Sequence, residues 1–175
     1  GCEVYVARRG MEDRVYGIDN DPYHLVLLCK DRKGYENLCL LVSEAFLNGF
    51  YGKPRVDIEM LRKHHEGLIA LSACLAGAIP QYLMEEDYTS AKAYALQMAD
   101  IFGPEHFYLE LQDHGIDEQR PVNQGILRLA RETGLPLVVS NDAHYLRQED
   151  AQMQDVLLCI QTGKTVGDQN RMKFQ

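Results

Sequence analysis

Leu135-Pro136-Leu137-Val138-Val139-Ser140-Asn141-Asp142-Ala143-His144-Tyr145 is the stretch on which the fold turns. Gly134 and Pro136 interrupt the helical pattern before it, and the apolar run at 135–139 reads as a buried strand. The run ends in Asp142-Ala143-His144. Residues two apart on an extended backbone point the same way, so a carboxylate and an imidazole project together from a strand end. Metal ligands and catalytic groups are presented in this manner by α/β enzymes. The same three residues also read as a capped turn with a surface His, and spacing alone leaves both readings open.

Working outward, strand patterns fall at 3–7, 23–29, 68–72 and 107–112, with the strand at 135–139 as the fifth. The run Tyr23-His24-Leu25-Val26-Leu27-Leu28-Cys29 predicts burial on both faces. Between the strands lie helical patterns. Asp31 caps a helix whose apolar positions Tyr35, Leu38, Leu41, Val42, Ala45 and Phe46 recur at three-and-four spacing. Asp57 caps a short one that ends near Lys63, with Gly67 closing the turn. A short helix follows Pro80, a longer one covers 89–102 and stops at Gly103-Pro104, and another covers 118–133 with Val122, Ile126, Leu129 and Ala130 on one face. A last helix covers 149–160, and the tail from Thr162 is polar and irregular. The charged stretch 8–21 and the aromatic, Gly-rich and basic stretch 49–56 read as loops. Repeated strand–helix alternation implies an α/β fold with parallel strands under covering helices.

The chain has 175 residues, 46% of them hydrophobic, which suits one domain with a sizeable core. Its apolar runs are far shorter than the roughly 20 residues that span a bilayer, and no targeting segment is legible. A cytoplasmic protein without a membrane partner is therefore expected. The opening Gly1-Cys2-Glu3-Val4-Tyr5-Val6-Ala7 already looks like strand and carries no initiator Met, so a piece of a longer protein is expected. A net charge of −8 argues against this segment itself gripping a nucleic-acid backbone, which needs clustered Lys and Arg. The five cysteines, Cys2, Cys29, Cys39, Cys74 and Cys159, are scattered without a Cys-x-x-Cys, a pattern of reduced thiols rather than a disulfide framework.

Candidate ligands sit at or near strand ends: Glu3, His24, Cys74, Asp142 and His144. Imidazole, carboxylate and thiolate together suit zinc, and carboxylate-rich portions suit manganese or iron. Each also has an ordinary reading. Glu3 reads as a solvated strand carboxylate, His24 as a hydrogen-bonded core His, and Cys74 as a small apolar residue. His64, His65, His106 and His114 read as surface or loop side chains, and Lys53 and Arg55 as a solvated charged loop or as contacts to phosphate or a partner. Thr162-Gly163-Lys164-Thr165 lacks the earlier Gly of a phosphate loop and follows a helix, which rules that motif out.

Taken together, several segments resemble the PHP (polymerase and histidinol phosphatase) domain of the bacterial replicative DNA polymerase III alpha subunit. They are Gly1-Cys2-Glu3-Val4-Tyr5-Val6, Tyr23-His24-Leu25-Val26-Leu27-Leu28, Gly34-Tyr35-Glu36-Asn37-Leu38 and Gly49-Phe50-Tyr51-Gly52-Lys53-Pro54-Arg55. Further on come the segment from Gly67 to Gly77, Tyr108-Leu109-Glu110-Leu111-Gln112-Asp113-His114-Gly115, Asn141-Asp142-Ala143-His144-Tyr145 and the segment from Leu157 to Lys164. So many ordered matches along nearly the whole chain are specific, whereas Asp-x-His alone is not.

The resemblance implies a distorted (β/α)7 PHP-type barrel with mostly parallel strands, here an incomplete one. Residues 1–175 would form a single PHP domain fragment lacking its first strands, because the family's opening His-x-His motif and a further His would precede Gly1. It further implies that Glu3, His24, Cys74, Asp142 and His144 are metal ligands. Up to three divalent ions (Zn, Mn or Fe) would occupy the intact site, and fewer would bind here. Where the cluster is intact, phosphoester hydrolysis and a 3′–5′ exonuclease activity in proofreading are implied. The alternative is a non-catalytic scaffold that stabilises the polymerase and docks a proofreading exonuclease subunit. DNA, through the parent polymerase, and other replicase subunits are the implied partners. A stand-alone histidinol-phosphatase-like phosphoesterase is the weaker alternative, opposed by the polymerase-like segments at 49–55 and 157–164.

Overall fold

A computed structural model describes residues 1–172. The chain divides into two compact units, Gly1–Ser140 and Asn141–Gln175. The last three residues of the expected polar tail lie outside the described part.

The first unit carries β1 (Cys2–Val6), β2 (Tyr23–Cys29), α1 (Arg32–Leu47), β3 (Phe50–Tyr51), β4 (Lys53–Val56) and α2 (Ile58–Lys63). It continues with β5 (Leu68–Leu71), α3 (Ala78–Met84), α4 (Tyr88–Phe102), β6 (Phe107–Leu111), α5 (Gln119–Thr133) and β7 (Leu137–Val139). The described strands form one sheet in the order β3-β4-β1-β2-β5-β6-β7. Pairing is parallel for β1/β4, β5/β6 and β6/β7 and antiparallel for β1/β2, β2/β5 and β3/β4. β1, β4, β5, β6 and β7 therefore share one direction, and β2 and β3 oppose it. From β5 to β7 the chain follows the strand–helix–strand pattern that the alternation of periods predicts.

Strand alternation decides which side chains face the core. In β1, Val4 and Val6 are buried while Glu3 and Tyr5 point the other way. In β2, Tyr23, Leu25 and Leu27 are buried, while His24 and Val26 lie on the opposite face. The register pairs Tyr5 with His24 and Glu3 with Val26, so Glu3 and His24 share the face away from the core. The expected burial of β2 on both faces is corrected here: Leu28 is 40% exposed. The expected buried strand before Asp142 is corrected too. β7 ends the sheet, with Leu137 and Val139 40% and 76% exposed, and Leu135 is the residue of that run that enters the core.

Capping follows the residue types. Asp31 accepts from Gly34 N–H at 2.9 Å, Asp57 from Met60 N–H at 2.9 Å, and Asp87 from Ser90 N–H at 2.9 Å, each satisfying a free amide at a helix start. α3 begins two residues before Pro80, because a first-turn position needs no N–H. α1 buries Leu38, Leu41 and Ala45, whereas Tyr35 and Phe46 are exposed, so its apolar face is narrower than its spacing suggests.

The expected loop at 49–56 is a hairpin. Gly52 (φ +71°) turns it between the paired Tyr51 and Lys53. Arg55, expected in solvent or at a ligand, is fully buried. Its guanidinium donates to the carbonyls of Gly49, Asp19, Met11 and Asp13 at 2.8–3.0 Å, and so holds the stretch 8–21 in shape.

The second unit contains a short 3-10 turn (Gln148–Asp150) and α6 (Ala151–Thr162). Gly163, with φ +65°, ends α6. The Gly-Lys-Thr triplet thus stands at a helix C-terminus, the end whose dipole disfavours phosphate. Among the described residues no helix is long and apolar enough to cross a membrane.

Candidate metal centre

Glu3, His24 and Cys74 come from three separate segments and meet at one point. Glu3 Oε1 lies 3.2 Å from His24 Nδ1, and Cys74 Sγ lies 3.7 Å from the same nitrogen. One donor atom from each lies within 4.8 Å of the others. Glu3 is exposed, and His24 and Cys74 are half-buried. The Tyr5 ring meets His24 edge-on, with centroids 5.1 Å apart.

Strand pairing brings Glu3 and His24 together. Cys74 arrives by a different route, on the turn that follows β5. Ala73 adopts φ +64°, in the left-handed region that an L-residue seldom occupies. Its N–H donates to the buried Glu110 carboxylate at 2.9 Å. The turn then closes through Gly77 N–H to the Cys74 carbonyl at 2.8 Å, and His24 N–H donates to the Ala76 carbonyl at 3.0 Å. A Cβ on Gly77 would stand 2.2 Å from the Ser72 carbonyl oxygen, so only glycine permits this close return. The backbone of β2 is in this way stitched to the segment bearing Cys74.

Burial pulls the His24 pKa down, but hydrogen bonds to Cys74 and Glu3 outweigh it and raise the imidazole to about 9. A carboxylate and a thiol both crowd one nitrogen, an arrangement that favours a cation among them. The spacing also fits a metal. Bonds of about 2.0–2.3 Å in a tetrahedron place neighbouring ligand atoms roughly 3.3–3.8 Å apart. The 3.2 and 3.7 Å separations lie near that range, the third pair lies within 4.8 Å, and the mixed O, N and S donor set suits zinc or a similar transition ion.

The other two sequence candidates lie in the second unit. Asp142 is half-buried with φ +44°, and His144 is exposed with its Nδ1 2.7 Å from the Asp142 carbonyl oxygen. The backbone there is irregular, with Asp142 in the left-handed region, so the extended-strand geometry that predicts parallel side chains does not apply at this point. Of the remaining histidines, His65 Nδ1 meets the Arg62 carbonyl at 2.8 Å and His106 Nε2 meets Lys30 at 3.2 Å. Sequence reasoning missed Glu110, which is 4% exposed. The signal was a carboxylate inside the apolar strand Phe107-Tyr108-Leu109-Glu110-Leu111.

The PHP domain family matches residues 1–114. The chain belongs to the PHP domain family. This PHP domain is 47% identical over its whole length to the DNA polymerase III subunit alpha of Treponema pallidum (strain Nichols), of which it covers 15%. It is 47% identical to that of Thermus aquaticus, over 99% of this chain and 14% of the relative. It is 40% identical to that of Aquifex aeolicus (strain VF5), over 100% of this chain and 16% of the relative. The chain thus spans only a small part of the length of the curated relatives that it matches.

Proposed function

We propose that this PHP domain is the metal-binding, phosphoesterase-type module of a bacterial DNA polymerase III alpha subunit, acting in DNA replication. The observation that carries the reading is the convergence of Glu3, His24 and Cys74, three chemically different donors from separate segments, on the face of the sheet away from the core. The likeness to three alpha subunits over 99–100% of the chain supports the replicative setting.

In this reading Glu3 supplies a carboxylate, His24 an imidazole nitrogen and Cys74 a thiolate, and Asp142 and His144 are further candidate ligands to be tested by substitution. Bound divalent ions supply Lewis-acid polarisation of a phosphoryl oxygen and a water of lowered pKa. The chain's own residues fix where such ions sit. In this reading residues 1–175 belong to a single PHP domain, and the sheet of the first unit is part of a distorted (β/α)7 barrel. DNA reaches it through the parent polymerase, with a proofreading exonuclease among the neighbouring replicase subunits, in the cytoplasm. Any 3′–5′ exonuclease activity belongs to the intact protein.

Metal titration with elemental analysis tests the ligand set. The chain is expected to retain zinc or manganese after gel filtration. Asp142→Ala and His144→Ala are each expected to lower the retained stoichiometry or the affinity at least tenfold. Equal binding in all three proteins removes those two residues from the set. A chain that retains no metal favours the scaffold alternative.

A further inference from the structure

The geometry points to Glu110 as a positioning residue for the metal centre: its carboxylate clamps the turn after β5 and thereby sets where the Cys74 thiol stands. This rests on the metal-binding reading above and extends it to a residue outside the ligand set.

Glu110 is the penultimate residue of β6 and is 4% exposed. One carboxylate oxygen accepts from Ala73 N–H at 2.9 Å. The other accepts from the Ser140 hydroxyl and, at 3.3 Å, from the Gln112 side-chain amide. Its backbone N–H donates to Ser72 Oγ at 2.8 Å, and Ser72 N–H donates to the Tyr108 carbonyl at 3.0 Å. The carboxylate therefore joins the ends of three neighbouring strands, β5, β6 and β7. Space around it is scarce: the cleft lined by Ala73, Cys74, Glu110 and Gln112 has a volume of about 10 Å³, room for one water at most.

Two features separate clamping from filling. Ala73 holds an unfavourable left-handed φ of +64°, and its N–H is aimed at Glu110. Without an acceptor there, the peptide between Ser72 and Ala73 gains by turning over into an ordinary conformation. Cys74 is the next residue, so that turn displaces Sγ from its 3.7 Å approach to His24 Nδ1. A buried carboxylate is also a costly core filler; it is retained at low cost only where donors surround it, as they do here.

The test uses Co2+ binding by the chain, read as affinity and as the thiolate-to-cobalt charge-transfer band. Cys74→Ser is expected to abolish the band. Glu110→Gln keeps the volume but replaces one acceptor by a donor that faces the hydroxyl and amide donors. It is expected to weaken Co2+ binding about tenfold and to dim the band. Ala73→Gly, which removes the penalty of the left-handed φ, is expected to restore Glu110→Gln to within about threefold of wild type. Full affinity and a full band in Glu110→Gln overturn the proposal, as does a failure of Ala73→Gly to restore it. If wild type shows no thiolate band, the metal reading fails, and alkylation of Cys74 in metal-free protein, followed by mass spectrometry, still decides the clamp. A several-fold change in rate on Glu110→Gln supports it, and equal rates overturn it.

Discussion

At the residue scale, the most demanding group in the first unit is Arg55. It is fully buried, and burial pushes its guanidinium pKa below the usual value. Its bonds to four backbone carbonyls offset that cost, and they tie the stretch 8–21 to the hairpin. Arg55→Leu leaves those carbonyls without their donor. It is expected to destabilise the protein by about 3 kcal/mol or more, measured from urea unfolding midpoints. Nothing in the local pattern Lys53-Pro54-Arg55 reveals this role, because three of the four partners, Asp19, Met11 and Asp13, lie 36–44 residues away along the chain, a relation that no short window expresses. Glu3 and His24 were more legible. Alternation within β1 and β2 places each on the face opposite the buried valines and leucines, and the register brings them together. Cys74 was legible as a residue type, but its approach depends on the left-handed Ala73, which no periodicity signals.

At the scale of elements, two contacts set how helices meet the sheet. α1 starts against the turn before β5, where a Cβ on Gly34 would come within 1.9 Å of the Gly67 carbonyl oxygen. Gly34→Ala must push the helix away and is expected to cost about 1–3 kcal/mol, seen as a lowered thermal midpoint. α4 and α5 are clasped by Glu132, which accepts from Lys92 at 2.7 Å and Arg128 at 2.8 Å. The bond to Lys92, then that to Arg128, lowers the Glu132 pKa to about 2 from 4.5. A carboxylate whose folded pKa is depressed contributes stability above its unfolded value and loses it as pH falls toward the folded one. The stability difference between wild type and Glu132→Gln is therefore expected to be largest at about pH 6 and to shrink steadily on acidification to about pH 3. A difference that stays constant over that range contradicts the ion-pair account. Helix positions were readable because Asp31 and Asp57 cap where their residue types predict. The hairpin at 50–56 was not, since strands of two and four residues carry too little pattern to stand out from a loop.

At the scale of the whole molecule, the proposed metal binding would be linked to folding. A ligand held by the native state and not by the unfolded chain adds RT ln(1 + [L]/Kd) to stability. Zinc at 100 times its Kd is thus expected to stabilise the protein by about 2.7 kcal/mol, and chelation to remove that increment. Glu3→Gln or Cys74→Ser is expected to reduce the zinc-dependent part and leave most of the metal-free stability in place, since neither side chain belongs to the buried core. The strand–helix alternation from β5 to β7 was visible in the sequence because its periods switch cleanly. The reversed direction of β2, set by tertiary pairing, was not.

The most direct test of the three-residue centre is X-ray absorption at the zinc edge of the loaded chain. The account predicts a single sulfur at about 2.3 Å, nitrogen and oxygen at about 2.0–2.2 Å, and loss of the sulfur shell in Cys74→Ser. A shell of nitrogen and oxygen alone in wild type, or a sulfur shell unchanged by Cys74→Ser, would contradict it.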